Sequence, residues 1–260
     1  MIASRGGVPM TFEVEGRGRH VTLVHGVGSN LQAWDGVVAA LRDEFTFLRY
    51  DLRGHGKSGK PPGPYALDDY ITDLAALLDA QSVDRTTLVG FSFGGMIAPA
   101  FTARHPERVR ALGIVSAVAG RSPEQRAAVV KRADELARGG PTTTVGAAIE
   151  RWFTPEFRAW NPDIIERQIQ RVLGNDPVGY AAAYRVFAES DVLDELHAIR
   201  CPTLVMTGEH DSGSTPAMAR AIHERIANSR LVILPRYRHS LLIEATAEVV
   251  SELRVFLNAT

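Results

Sequence analysis

Gly90-Phe91-Ser92-Phe93-Gly94 places a serine hydroxyl between glycines two positions to either side. Glycine has no Cβ, so a strand and a helix can meet closely around a serine held in an unusual backbone conformation with its Oγ projecting outward. The flanks agree with such a turn. Thr86-Thr87-Leu88-Val89 is β-branched and apolar, as a buried strand requires, and residues 95–104 read as a helix that starts just after the serine. A serine hydroxyl is a weak nucleophile until an imidazole takes its proton, and that imidazole needs an acid to hold its tautomer and stabilise the cation formed. Asp211 follows the apolar run 203–206 through Thr207-Gly208-Glu209-His210, and His239 follows the run 231–234 through Pro235-Arg236-Tyr237-Arg238. Both therefore fall on loops at the carboxyl ends of strands, where open α/β sheets build their sites. The predicted chemistry is acyl transfer, with Ser92 attacking a carbonyl, His239 moving the proton and Asp211 orienting the imidazole, in the chain order Ser, Asp, His. The N–H of Phe93, the residue after the nucleophile, is the expected first donor to the developing oxyanion.

Other reactive-looking residues fit other roles. His210 adjoins Asp211 too closely to form a spaced relay with it, while His25 and His55 stand beside glycines in turns, where packing or a hydrogen bond to a loop carbonyl is expected. Gly56-Lys57-Ser58 lacks the first glycine of a phosphate loop, because that position is Asp51. Gly26-Val27-Gly28 has Leu31 where a dinucleotide fingerprint needs its third glycine. The histidines show no recurrent zinc-site spacing, so neither a metal nor another cofactor is expected.

The elements that must position these groups alternate along the chain. Residues 11–15 alternate apolar and polar like a half-exposed antiparallel strand, whereas 21–24, 45–48 and 112–115 read as strands buried on both faces, and 203–206 and 231–234 follow. Helical patterns lie between them at 31–41, 67–78, 95–104, 216–226 and 244–257. This predicts the α/β class, with a mostly parallel, doubly wound sheet. The alternation stops after Val118. Residues 121–196 carry helical patterns at 123–138, 145–152, 164–173 and 179–188 but no convincing strand, so they read as a helical lid inserted into a core made of 1–120 and 197–260.

A chain of 260 residues can bury an ample core without disulfides or structural metals. The net charge is −1 and the arginines are dispersed, leaving no basic field for nucleic acid or an anionic membrane. Cys201, the single cysteine, precedes Pro202 at the entry to a strand and reads as a small buried side chain. Residues 1–9 lack the apolar segment of a leader and no later segment is long enough to span a bilayer, so a cytoplasmic protein is expected. The oligomeric state is left open.

Taken together, His25-Gly26-Val27-Gly28, the segment from Asp51 to Ser58, the serine turn, Gly208-Glu209-His210-Asp211 and His239 make the chain resemble the α/β-hydrolases over nearly its whole length. The resemblance implies the α/β-hydrolase fold, a cofactor-independent reaction and a second oxyanion donor in the N–H of Val27. Within that family, Arg151-Trp152-Phe153-Thr154-Pro155, the run 179–184 and Asp211 with Thr215-Pro216 resemble 3-oxoadipate enol-lactonases and related carboxylesterases. The chain departs from the enol-lactonase pattern in the two bulky residues before His239 and in a longer loop after Asp211. The expected substrate is therefore a small carboxylic ester or lactone, without a more specific choice. For Arg151 and Trp152 two roles stay open, lid packing and substrate contact; on the latter, Arg151 would hold a substrate carboxylate. Carbon–carbon bond hydrolysis, acyl transfer to another acceptor and perhydrolysis use the same relay, and a slow-turnover ligand receptor is the rival from a different class.

Overall fold

In a computed structural model, which describes residues 2–3 and 7–260, the apolar runs pair into one sheet. Met1 and residues 4–6, part of the stretch read above as lacking a leader, lie outside the described residues. After a short antiparallel pair, β1 (Ile2–Ala3) and β2 (Pro9–Met10), come β3 (Phe12–Gly16), β4 (Arg19–Val24), β5 (Phe45–Tyr50), β6 (Thr86–Phe91), β7 (Val109–Val115), β8 (Thr203–Gly208) and β9 (Ser229–Leu234). These last seven strands run in the order β3-β5-β4-β6-β7-β8-β9, with β3 antiparallel and the others parallel.

Side-chain alternation covers both faces of the sheet. Phe45 and Phe47 of β5 pack with Val37 of α1 (Asp35–Leu41), while Leu48 and Tyr50 of the same strand join Leu74 of α2 (Leu67–Ala80) and Ile97 of α3 (Gly94–Arg104). Successive strand residues point to opposite faces, so each run meets a helical layer on both sides.

Between β7 and β8 the chain forms α4 (Pro123–Gly139), α5 (Val145–Trp152), α6 (Pro155–Trp160), α7 (Pro162–Leu173) and α8 (Pro177–Glu189). Four of these begin with proline, whose fixed φ and missing N–H suit the first helical turn. Ser122, Thr154 and Asp176 cap α4, α6 and α8 through side-chain oxygens. The two ends of the segment are tied together, because the Asp191 carboxylate accepts from the N–H groups of Gly120 and Leu193, each at 3.0 Å. The chain then completes α9 (Pro216–Arg225), α10 (Leu241–Glu244) and α11 (Thr246–Asn258).

Several boundaries differ from those expected. Residues 31–41 divide into a tighter turn, Leu31–Trp34, and α1, because the Leu31 N–H is held by Asp51 Oδ1 from another loop at 2.8 Å. The helix expected over 244–257 is split at Ala245 into α10 and α11. The short helix α6 was not anticipated, and α7 and α8 start two residues earlier, at their prolines. Cys201 is only partly covered, not buried. Among the described residues no helix is long and apolar enough to cross a membrane.

Candidate active site

Ser92 stands where β6 turns into α3, at a φ of +55°, with its N–H donating to the Val115 carbonyl at 2.9 Å. A residue other than glycine is strained at such a φ, which is the conformation the flanking glycines were expected to permit. They permit it by proximity. A Cβ on Gly90 would lie 2.0 Å from the Gly94 carbonyl oxygen, and one on Gly94 would lie 2.2 Å from that of Val24.

Asp211 follows β8, and its Oδ1 accepts the N–H groups of Gly213 at 2.9 Å and Ser214 at 2.8 Å. Its Oδ2 is left for His239, whose Nδ1–H donates to it at 2.8 Å. The opposite ring nitrogen, Nε2, then accepts the Ser92 hydroxyl at 3.1 Å. The Asp211 side chain is fully buried. His239 reaches this position because the loop after β9 passes directly over the end of β8: a Cβ on Gly208 would lie 2.3 Å from the Arg238 carbonyl oxygen. Ser116 Oγ holds the His239 carbonyl at 3.1 Å, and the Phe91 ring lies 5.2 Å from the imidazole. His210, the discarded neighbour of Asp211, keeps its side chain largely exposed.

The loop after β4 lies against this turn, since a Cβ on Gly26 would fall 3.0 Å from that of Ser92. Two buried imidazoles fix the loop. His55 accepts the Gly28 N–H on Nε2 at 2.9 Å and donates from Nδ1 to the Arg53 carbonyl at 3.0 Å; His25 accepts the Leu52 N–H at 3.0 Å and donates to the Gly26 carbonyl at 2.8 Å. Burial pushes His25 down to about 4 and His55 to about 3, the latter helped by repulsion from His25, so both are neutral. Val27 faces the cavity at Ser92. The Phe93 ring instead packs in the core against Tyr70 and Phe187, leaving its main chain at the start of α3.

One cavity opens on Ser92 and His239, and α4, α5, α7 and α8 supply much of its wall. Arg151 and Trp152 both line it, and the Trp152 ring stacks beside the imidazole with 6.5 Å between centroids. The Trp152 carbonyl also accepts the Ser240 N–H at 2.9 Å, joining the end of α5 to the residue after His239. Tyr180 and Tyr184, from the run 179–184, share this wall with Arg121, Arg132, Gln168 and Arg171, which sequence reasoning did not single out. Their spacing carried no motif; only folding brings them together.

A strained serine at a strand-to-helix turn, followed by an acid after β8 and a histidine after β9, defines a class. Residues 19–246 match the alpha/beta hydrolase fold family, and the chain belongs to it. The chain is 33% identical over 229 residues to 3-oxoadipate enol-lactonase 2 of Acinetobacter baylyi, covering 87% of this chain and 85% of that one. Among solved structures it is similar to the enol-lactonase from Burkholderia xenovorans LB400, with a TM-score of 0.93 and 30% identity over 99% of both chains. It is also similar to a thermophilic esterase from Thermogutta terrifontis solved with malate bound, with a TM-score of 0.91 and 32% identity over 99% of this chain and 96% of the other.

Proposed function

We propose that the protein is a serine hydrolase of a small carboxylic ester or lactone that works through an acyl-enzyme. The observation that carries this reading is the unbroken relay from the Asp211 carboxylate through His239 to the Ser92 hydroxyl, at 2.8 and 3.1 Å. His239 takes the hydroxyl proton as Ser92 attacks the carbonyl, and Asp211 stabilises the imidazolium that results. The N–H groups of Phe93 and Val27 receive the oxyanion, the first aided by the positive end of α3. His239 returns the proton to the leaving alkoxide, and water, activated by the same imidazole, then releases the acid. Ring opening of a lactone follows the same course, with the leaving oxygen tethered to the acyl group.

Residues 121–196 act in this reading as a lid on a core of 1–120 and 197–260, excluding water and shaping the acyl site. Arg151, at the end of α5, holds a carboxylate on the substrate, and Trp152 shields the imidazole. The kinship with an enol-lactonase and an esterase supports an ester-type bond as the target.

The test is turnover of a neutral activated ester, together with mass spectrometry of the intact protein after rapid quenching. Ser92→Ala and His239→Ala are each expected to lower kcat by about 10⁴-fold or more, and the wild type to show acyl mass on the peptide holding Ser92. Substantial turnover by either folded variant would refute the assignment.

A further inference from the structure

Four guanidiniums, Arg121, Arg132, Arg151 and Arg171, line the cavity, and among the described residues Asp211 is the only carboxylate on its wall. That carboxylate is already engaged by His239, Gly213 and Ser214. The two buried arginines of the described residues are both paired with acids. Arg49 meets Glu13, Glu15 and Asp35, and Arg53 meets Asp73 through both carboxylate oxygens. The cavity reverses the pattern.

Among the described residues neither Arg132 nor Arg151 forms an ion pair, and Arg132 Nε is buried without a hydrogen-bond partner. Arg121 lines the same cavity. Its Nη1 donates to the Phe187 carbonyl at 2.8 Å, its Cζ lies 4.5 Å from the centre of the Phe187 ring, Asp191 offsets part of its charge, and its Nη2 is buried and unpartnered. Arg132 repels both neighbours, which adds to the burial that lowers the pKa of Arg121 and Arg151. Arg171 is separate, on the wall next to a cleft at Ser29 and Asn30. Two adjacent, sheltered, unpaired cations oppose one another until a ligand brings the missing charge. A single carboxylate satisfies one guanidinium fork; two forks on two helices require two acceptors.

From this we infer that the ester or lactone attacked by Ser92 carries two carboxylates on its acyl portion, one held by Arg151 and the other by Arg132. The inference rests on the hydrolase reading above and adds the second anionic site, with Arg132 as a specificity-determining residue.

The experiment compares kcat/KM for the ethyl esters of butanoic, succinic and tricarballylic acids, which carry zero, one and two free carboxylates, by pH-stat titration. The wild type is expected to prefer the doubly charged ester by about tenfold or more over the singly charged one. Arg132→Gln should remove that preference while changing turnover of the other two esters by less than about threefold, and Arg132→Lys should retain part of it. Equal rates on the two charged esters, or a uniform loss on all three with Arg132→Gln, would overturn the inference.

Calorimetric titration of Ser92→Ala protein with tricarballylate, succinate and inorganic phosphate separates this claim from the hydrolase reading. Tricarballylate should bind most tightly and lose about tenfold in affinity when Arg132→Gln is added. Phosphate binding as tightly as tricarballylate would overturn the dicarboxylate assignment. Turnover of the neutral ester without any preference for the diacid would sink the second site alone, whereas Arg132-dependent binding with no turnover of any ester would sink the hydrolase reading alone.

Discussion

The Gly28 N–H donates to Nε2 of His55 at 2.9 Å, so a fully buried, neutral imidazole anchors the loop that carries Val27 beside Ser92. The anchor comes from the turn after β5, not from the loop itself. Truncating it leaves the Gly28 N–H and the Arg53 carbonyl without their partner in the core. His55→Ala is therefore expected to lower kcat about tenfold on a neutral ester, with a smaller change in KM, and to cost about 1–3 kcal/mol of stability. His55→Asn, which offers both a donor and an acceptor, should recover part of the rate. A His55→Ala enzyme with wild-type kcat would show that the loop holds its position without the imidazole.

The same two imidazoles set an acid limit on stability. Their folded pKa values, about 4 for His25 and about 3 for His55, lie below the ordinary 6.5. Between pH 6.5 and about 4 the unfolded chain therefore binds more protons than the folded one, so stability rises with pH across this window and falls on acidification. His25 alone accounts for a loss on the order of 3 kcal/mol by pH 4. Urea unfolding at pH 7, 6 and 5 should show a declining free energy, with a shallower slope in His55→Asn. A flat profile would mean that neither imidazole is held neutral.

Asp211 has one oxygen on His239 and the other on two main-chain N–H groups. An amide in its place keeps the shape but presents either oxygen or NH₂ to the ring, favouring the wrong imidazole tautomer. Asp211→Asn is expected to lower kcat by up to about 10⁴-fold at neutral pH while the fold persists by circular dichroism. Retention of more than about a tenth of wild-type kcat would exclude Asp211 as the orienting acid.

Gly208 bears on the site through its carbonyl, which accepts the Asp211 N–H at 3.2 Å, and through its absent side chain. A methyl group there meets the carbonyls of Tyr237 and Arg238 at 2.5 and 2.3 Å, and backbone must move to admit it. Gly208→Ala should displace His239 and reduce kcat by about 100-fold or more, with a stability loss of about 1–3 kcal/mol from overpacking. Unchanged activity would place the slack of the loop elsewhere.

The strands, the serine turn and the triad order were legible because they depend on local rules. A strand buried on both faces must read as a short apolar run, and a tight strand-to-helix turn needs small residues at 90 and 94. The proline starts of α7 and α8 were also present in the chain, but apolar periodicity placed those helices two residues late. The break at Ala245 and the tightened turn at Leu31 had no local signal, since Asp51 and the sheet impose the latter from a distance.

Residue type and spacing alone determined the α/β class and pointed to Ser92, Asp211 and His239, the three side chains that the fold brings into one hydrogen-bonded chain. Tertiary structure decided the electrostatics of the cavity. The arginines at 121, 132, 151 and 171 look dispersed along a chain of net charge −1, yet folding brings all four to the lining of one cavity whose only carboxylate, among the described residues, is Asp211. Charge in a folded protein acts through distance and burial, and neither quantity is a property of sequence separation.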